Sequence, residues 1–175
     1  MAFHHVAIAT RDIQATHRFY TEVMGFTLAR VEAAPTPEGG WARHVFYDTG
    51  SHGEMIAFWD LHDTAYDEFN PSISKGLGLP VWTNHIAFDA PTLEDLEVAK
   101  RRWQDAGERL LEIDHGWCTS IYIVDPNGIM VEFCTSTAEL TDADRAKALE
   151  LLMAEKPPLA TPPEGIVHEP TRTSA

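Results

Sequence analysis

Two histidines and one glutamate carry the chemistry that this chain could do. His5 lies in HHVAIA, His85 in NHIAF and Glu132 in MVEFC, each inside a short apolar run. Alternation along a strand sends neighbouring side chains to opposite faces. Val6 and Ile8, Ile86 and Phe88, and Val131 and Phe133 would then pack on one side, with His5, His85 and Glu132 on the other. A carboxylate among apolar neighbours is costly unless it is paired, protonated or bound to a metal. Two neutral imidazoles and a carboxylate form a facial triad that leaves adjacent coordination positions open, the arrangement of non-haem Fe(II) oxygenases. Ligand type alone does not separate Fe(II) from Mn(II) or another divalent ion.

The elements that must position these residues repeat. FHHVAIATRDIQATHRFYTEVMGF has a counterpart in TNHIAFDAPTLEDLEVAKRRWQDAGE. Each begins with a histidine-bearing strand and reaches a helix N-cap seven residues later, Asp12 or Thr92. Thr92 with Asp95 resembles a capping box. Helical spacing follows at Ile13, Phe19, Tyr20 and Val23, and at Leu96, Ala99 and Trp103. Gly25 and Gly107 stand where a left-handed C-cap is expected. Strands are predicted at Thr27–Val31, Ala42–Tyr47 and Glu54–Trp59, then at Arg109–Ile113, Cys118–Val124 and Ile129–Thr135. Between the last two, Asp125-Pro126-Asn127-Gly128 reads as a type I turn closed by a left-handed glycine. That register sets Tyr122 opposite Glu132, Ile121 against Phe133 and Ile123 against Val131.

The fold class is α+β: two βαβββ modules forming a cup-shaped, mostly antiparallel mixed sheet, plus a C-terminal helix. Residues 1–60 form the first module, 61–81 a linker, 82–136 the second module and 137–175 the tail. In the tail, Thr141–Glu155 reads as a helix with Leu149, Leu152 and Met153 on an apolar stripe. It could pack on the domain, cover a pocket or meet a partner chain. The sequence after PPLATPPEG reads as irregular.

Composition narrows the partners. A formal charge of −14 argues against a nucleic-acid or anionic-membrane surface. No run approaches the roughly 20 apolar residues of a membrane span, and the N-terminus lacks a signal-peptide pattern, so a cytoplasmic location is expected. Cys118 and Cys134 fall diagonally on two strands and read as reduced structural thiols.

Paired βαβββ modules with these three polar residues resemble the vicinal oxygen chelate superfamily of glyoxalases, bleomycin-resistance proteins, epimerases and extradiol dioxygenases. The resemblance covers about residues 3–136. Ile113-Asp114-His115, then Ile121-Tyr122, Asp125-Pro126-x-Gly128 and Glu132, is similar to the signature of extradiol ring-cleavage dioxygenases. It implies that Glu132, with His5 and His85, ligates Fe(II), and that His115 and Tyr122 contact a bound catechol-like diol. His52 or Glu54 is expected to serve as the acid/base that shuttles protons, with His44 a third candidate. Met55, Ala57, Trp59 and Trp117 are expected to line the substrate pocket.

The resemblance therefore implies an Fe(II)-dependent extradiol-type dioxygenase that acts on an aromatic diol with O2, as a homodimer whose metal site lies within one chain or across two. Glyoxalase-type enzymes in the superfamily use a fourth ligand on the first module's last strand. Aligning MIAFW with MVEFC puts Ala57 there, although Glu54 could substitute if the strand bulges at Gly53. A metal-dependent lyase or isomerase working through an enediolate is the alternative reading. A metal-free small-molecule binding protein would not need the three polar residues together.

Overall fold

A computed structural model describes residues 3–51 and 53–171. The first half forms β1 (His5–Thr10), α1 (Ile13–Arg18, continued by a wider π turn over Phe19–Val23), β2 (Thr27–Pro35), β3 (Trp41–Asp48) and β4 (Met55–His62). A short 3-10 turn at Thr64–Tyr66 and α2 (Ile73–Gly76) lead into the second half. There follow β5 (His85–Asp89), α3 (Leu93–Asp105), β6 (Leu110–Asp114), β7 (Cys118–Val124) and β8 (Met130–Ser136). The tail adds α4 (Asp142–Met153) and β9 (Gly165–His168).

Both halves are β-α-β-β-β, as the repeat predicts. The strands form two sheets, ordered β1-β4-β3-β2 and β5-β8-β7-β6-β9. In each, the histidine-bearing strand is an edge and pairs in parallel with the last strand of its module, while the other pairings are antiparallel. The registers match across the repeat. His5 pairs with Met55 and Ala7 with Ala57; His85 pairs with Met130 and Ala87 with Glu132. Ala57 and Glu132 therefore occupy equivalent places.

The helices start where side chains satisfy otherwise unpaired amides. Asp12 accepts from the Ala15 amide at 2.9 Å, and Thr92 and Asp95 form the expected reciprocal box. Gly25 at φ 79° and Gly107 at φ 94° leave the helices in the left-handed region. The α3 stripe of Leu96, Ala99 and Trp103 is buried, with Trp103 fully enclosed.

The two sheets meet through their helix-bearing faces. Phe26 of the first half lies 4.9 Å from Phe88 and 6.2 Å from Phe133 of the second, ring centre to ring centre. Trp103 lies 5.4 Å from Phe133 and Tyr20 4.6 Å from Phe58. Each such side chain contributes about 1.5–3 kcal/mol on burial. A buried polar network ties the same seam. Tyr20 donates to Asp125 Oδ2 at 3.1 Å. Asn127 Nδ2 donates to Thr16 Oγ1 at 3.2 Å, Thr16 and Thr10 share a hydroxyl bond at 2.8 Å, and Thr10 donates back to Asn127 Oδ1 at 2.8 Å. The turn between β7 and β8 is thus held by residues of the first half. The faces bearing His5 and Glu132 point away from this core.

Three sequence expectations are corrected. Glu54 precedes β4, and the β3–β4 register runs unbroken from Trp41 opposite His62 to Asp48 opposite Met55. No bulge at Gly53 carries Glu54 toward the Ala57 position. The tail is not irregular throughout: β9 pairs antiparallel with β6, from Leu110 opposite His168 to Ile113 opposite Gly165. Ile166 and Val167 suit an open strand edge, which is the physical reason. The apolar stripe of α4 packs on no part of the chain that is described: Leu149, Leu152 and Met153 are 61%, 79% and 76% exposed.

Candidate metal and ring-binding site

Glu132 sits mid-strand on β8, opposite Tyr122 of β7 and beside Ala87 of β5. Only 5% of it is exposed. The turn Asp125–Gly128 fixes this register. Asp125 Oδ1 accepts from the amides of Asn127 at 2.9 Å and Ile129 at 2.8 Å, and Gly128 takes φ 76°.

His85 reaches Glu132 from the edge strand, its Nε2 3.2 Å from Oε2. On the other side of the ring, Nδ1 lies 2.9 Å from the backbone carbonyl of Trp82. A carbonyl only accepts, so Nδ1 carries the proton. In the neutral ring the Nε2 lone pair then faces a buried carboxylate. Two acceptors at that distance require a cation between them or a proton on Nε2. The donor set fits a divalent metal, with the Trp82 carbonyl orienting the imidazole.

Tyr122 and His115 complete this cluster. Tyr122 Oη lies 2.9 Å from His115 Nε2, and its ring stands edge-on to His85 at 6.3 Å. Burial pushes the Tyr122 phenol up to about 12, with the Glu132 charge adding to the shift and a Ser120 hydrogen bond opposing it. Tyr122 therefore remains a neutral donor at ordinary pH. A cavity of about 390 Å³ opens over these groups, walled by Trp82, His85, Leu111, Ile113, His115, Tyr122 and Met130. Apart from the two imidazoles, the phenol and the Trp82 indole, its walls are the apolar side chains of Leu111, Ile113 and Met130.

His5 stands apart on the other sheet. Its Nδ1 lies 2.8 Å from Nδ1 of His4, and its ring centre is 6.0 Å from His44 and 5.4 Å from Phe46. Among the described residues, no three His, Cys, Asp or Glu side chains lie close enough to hold a metal. One chain thus gathers His85, Glu132, Tyr122 and His115, but not His5. The cause is the docking through Phe26, Phe88 and the Tyr20–Asp125 bond, which leaves β1 and β5 as separate edges.

The remaining candidates are scattered. His52 lies outside the described residues. Met55, Ala57 and Trp59 share the open face of the first sheet with His5. Trp59 stacks on His44 at 3.9 Å, and the His44 Nε2 is buried without a hydrogen-bond partner among the described residues. Burial lowers the His44 pKa, and the nearby His5 adds to this. Trp117 borders a different cavity, with Ser136, Ala138, Glu139, Leu140 and Arg145. Sequence reasoning missed Trp82, Leu111, Ile113 and Met130. The alternation of Leu111 and Ile113 along β6 could have found two of them; Trp82 lies in a loop with no periodic signal.

The sequence matches the Glyoxalase/Bleomycin resistance protein/Dioxygenase superfamily over residues 2–133, and the chain belongs to that family. It is 30% identical over 135 residues to a biphenyl-2,3-diol 1,2-dioxygenase of Rhodococcus globerulus, covering 73% of this chain and 60% of that protein. Among solved structures, a glyoxylase/bleomycin resistance protein/dioxygenase domain from Frankia sp. EAN1pec aligns with TM-score 0.56 at 18% identity, over 78% of this chain and 98% of that one. A lactoylglutathione lyase from Agrobacterium tumefaciens aligns with TM-score 0.51 at 22% identity, over 77% and 92%. These structures share the fold. Among the described residues, no helix is long and apolar enough to cross a membrane.

Proposed function

We propose that the protein is an Fe(II)-dependent dioxygenase of the extradiol type, cleaving an aromatic diol with O2. The observation that carries this reading is the buried Glu132 carboxylate facing the acceptor nitrogen of His85, with Tyr122 and His115 beside it in an apolar cavity. The relative that acts on biphenyl-2,3-diol supports it, although the chain spans only 60% of that relative's length.

His85 and Glu132 would hold the metal, with Fe(II) preferred and Mn(II) the alternative. The third ligand would be His5 of a second copy, because among the described residues β1 and β5 each leave one side open at a sheet edge, and His5 joins no metal-holding group with Glu132. The working unit in this reading is a homodimer with two equivalent composite sites. Bound there, the metal supplies Lewis acidity toward the diol hydroxyls and a redox centre for O2. The chain's own groups do the rest. Tyr122, held neutral, donates its one proton in a hydrogen bond to a diol oxygen, and His115, donating from Nε2–H, holds the phenol oxygen in place. The apolar walls face the ring.

The lyase or isomerase reading is weaker. Its fourth ligand would stand at Ala57, whose methyl offers no donor, and the unbroken β3–β4 register keeps Glu54 out of that place. The test is oxygen uptake by anaerobically Fe(II)-loaded protein with catechol and 3-substituted catechols. Uptake with a coloured ring-opened product, absent in Glu132→Ala, supports the reading. No uptake with stoichiometric iron would overturn it.

A further inference from the structure

We infer that the C-terminal strand β9 sets the width of the cavity beside His85 and Glu132, and that this cavity receives an apolar ring or chain attached to the ligand. The inference rests on the diol reading only for what else the ligand carries.

β9 lies along β6, the strand that supplies Leu111 and Ile113 to the cavity wall. Gly165 stands opposite Ile113. A Cβ at Gly165 would meet Leu111 Cδ1 at 2.7 Å and Ile113 Cγ1 at 3.7 Å. The missing side chain is therefore the space into which Leu111 folds, and any larger residue drives Leu111 toward the cavity. Two residues on, Val167 pairs with Leu111 and lines a neighbouring cavity that shares Leu111, Tyr122 and Met130 with the first.

β9 is fixed from behind, so Gly165 keeps its place against Leu111, which lines the cavity. Gln104 Nε2 donates to the Glu169 carbonyl at 2.9 Å, the Thr171 amide to the Gln104 carbonyl at 3.2 Å, and the Thr171 hydroxyl to Asp105 Oδ1 at 2.6 Å. His168 Nε2 lies 2.8 Å from Glu112 Oε2 on the helix-bearing side of β6, a close approach without hydrogen-bond geometry. The polar groups of the cavity gather at its His85–Tyr122–His115 end. Trp82, Leu111, Ile113 and Met130 form the rest. A charged substituent placed there would lose its water and gain no partner. An aryl or alkyl substituent fills it at no such cost, and the volume of about 390 Å³ falls within the range of small-molecule sites.

The test measures binding of 2-phenylphenol and phenol to the full-length, metal-free protein by calorimetry. Neither probe is a diol, so neither chelates or is cleaved. The wild type should bind 2-phenylphenol at least about tenfold more tightly than phenol. Gly165→Val should abolish that preference while leaving phenol within about twofold, and Leu111→Ala in the same chain should restore it. Leu111→Trp narrows the cavity with β9 untouched and should match Gly165→Val, which keeps the test available if the glycine variant misfolds. Equal binding of the two probes by the wild type overturns the inference, as does an unchanged preference in the narrowed variants. A failed oxygen-uptake assay would leave this binding result standing.

Discussion

Tyr122 and Glu132 face each other across β7 and β8, in the register fixed by the Asp125–Gly128 turn, and His115 closes on the phenol at 2.9 Å. The carboxylate and phenol are placed by strand pairing, and the histidine by the end of β6. Tyr122→Phe should keep the fold and lower kcat about 100-fold. Burial and the Glu132 charge hold the phenol's ionisation near 12, so the wild-type alkaline limb below pH 10 should belong to another group. The limb should stay where it is in Tyr122→Phe. A pH–rate profile of both proteins checks this.

Metal should stabilise the protein through Glu132. A ligand bound only by the folded state adds about 2.7 kcal/mol at 100 times its Kd. Thermal unfolding with and without Co(II) or Fe(II) under anaerobic conditions should show an upward shift in Tm for the wild type. Glu132→Ala should show none.

The seam network should matter to stability more than any exposed ion pair. Tyr20→Phe removes the donor to Asp125 and should cost about 1 kcal/mol. Asn127→Ala leaves the Thr10 and Thr16 hydroxyls short of partners in a buried place and should cost about 2–3 kcal/mol. Urea unfolding measures both.

Asp125 also makes stability depend on pH in a predictable sense. Burial raises its carboxyl above the usual 3.8, against opposing hydrogen bonds from Ile129, Asn127 and Tyr20. The folded state therefore holds this proton more tightly than the unfolded chain. Its contribution is complete below the unfolded value and is lost as pH rises through the folded one. The stability difference between wild type and Asp125→Asn should accordingly be larger in favour of the wild type near pH 3 than at pH 7. Urea midpoints at the two pH values check the sign.

Much of this arrangement was legible in the residues, and the misses share a cause. The hairpin register followed from turn chemistry, because Asp, Pro and Gly at their positions fix which side chains face each other. The equivalence of Ala57 and Glu132 followed from aligning two short runs, and strand pairing placed both beside a first-strand alanine, Ala7 or Ala87. Alternation says which face His5 occupies, but not how one sheet docks on another. Docking is decided by long-range contacts such as Phe26 with Phe88 and Tyr20 with Asp125. β9 was hidden because four residues after a proline-rich stretch carry little pattern. Its place is set by the open edge of β6 and by anchors on Gln104 and Asp105 that are distant in sequence.

The proposed metal site combines His85 and Glu132 of one copy with His5 of another. The direct measurement is metal content after anaerobic loading of His5→Ala, Glu132→Ala and the two variants co-expressed in equal amounts. Each variant alone should bind almost none. In the mixture, half of the dimers carry one of each chain and half of the sites in those dimers are intact, so about a quarter of the wild-type metal should return. Metal binding that stays near zero in the mixture, or that survives in either single variant, would rule out a site shared between two copies.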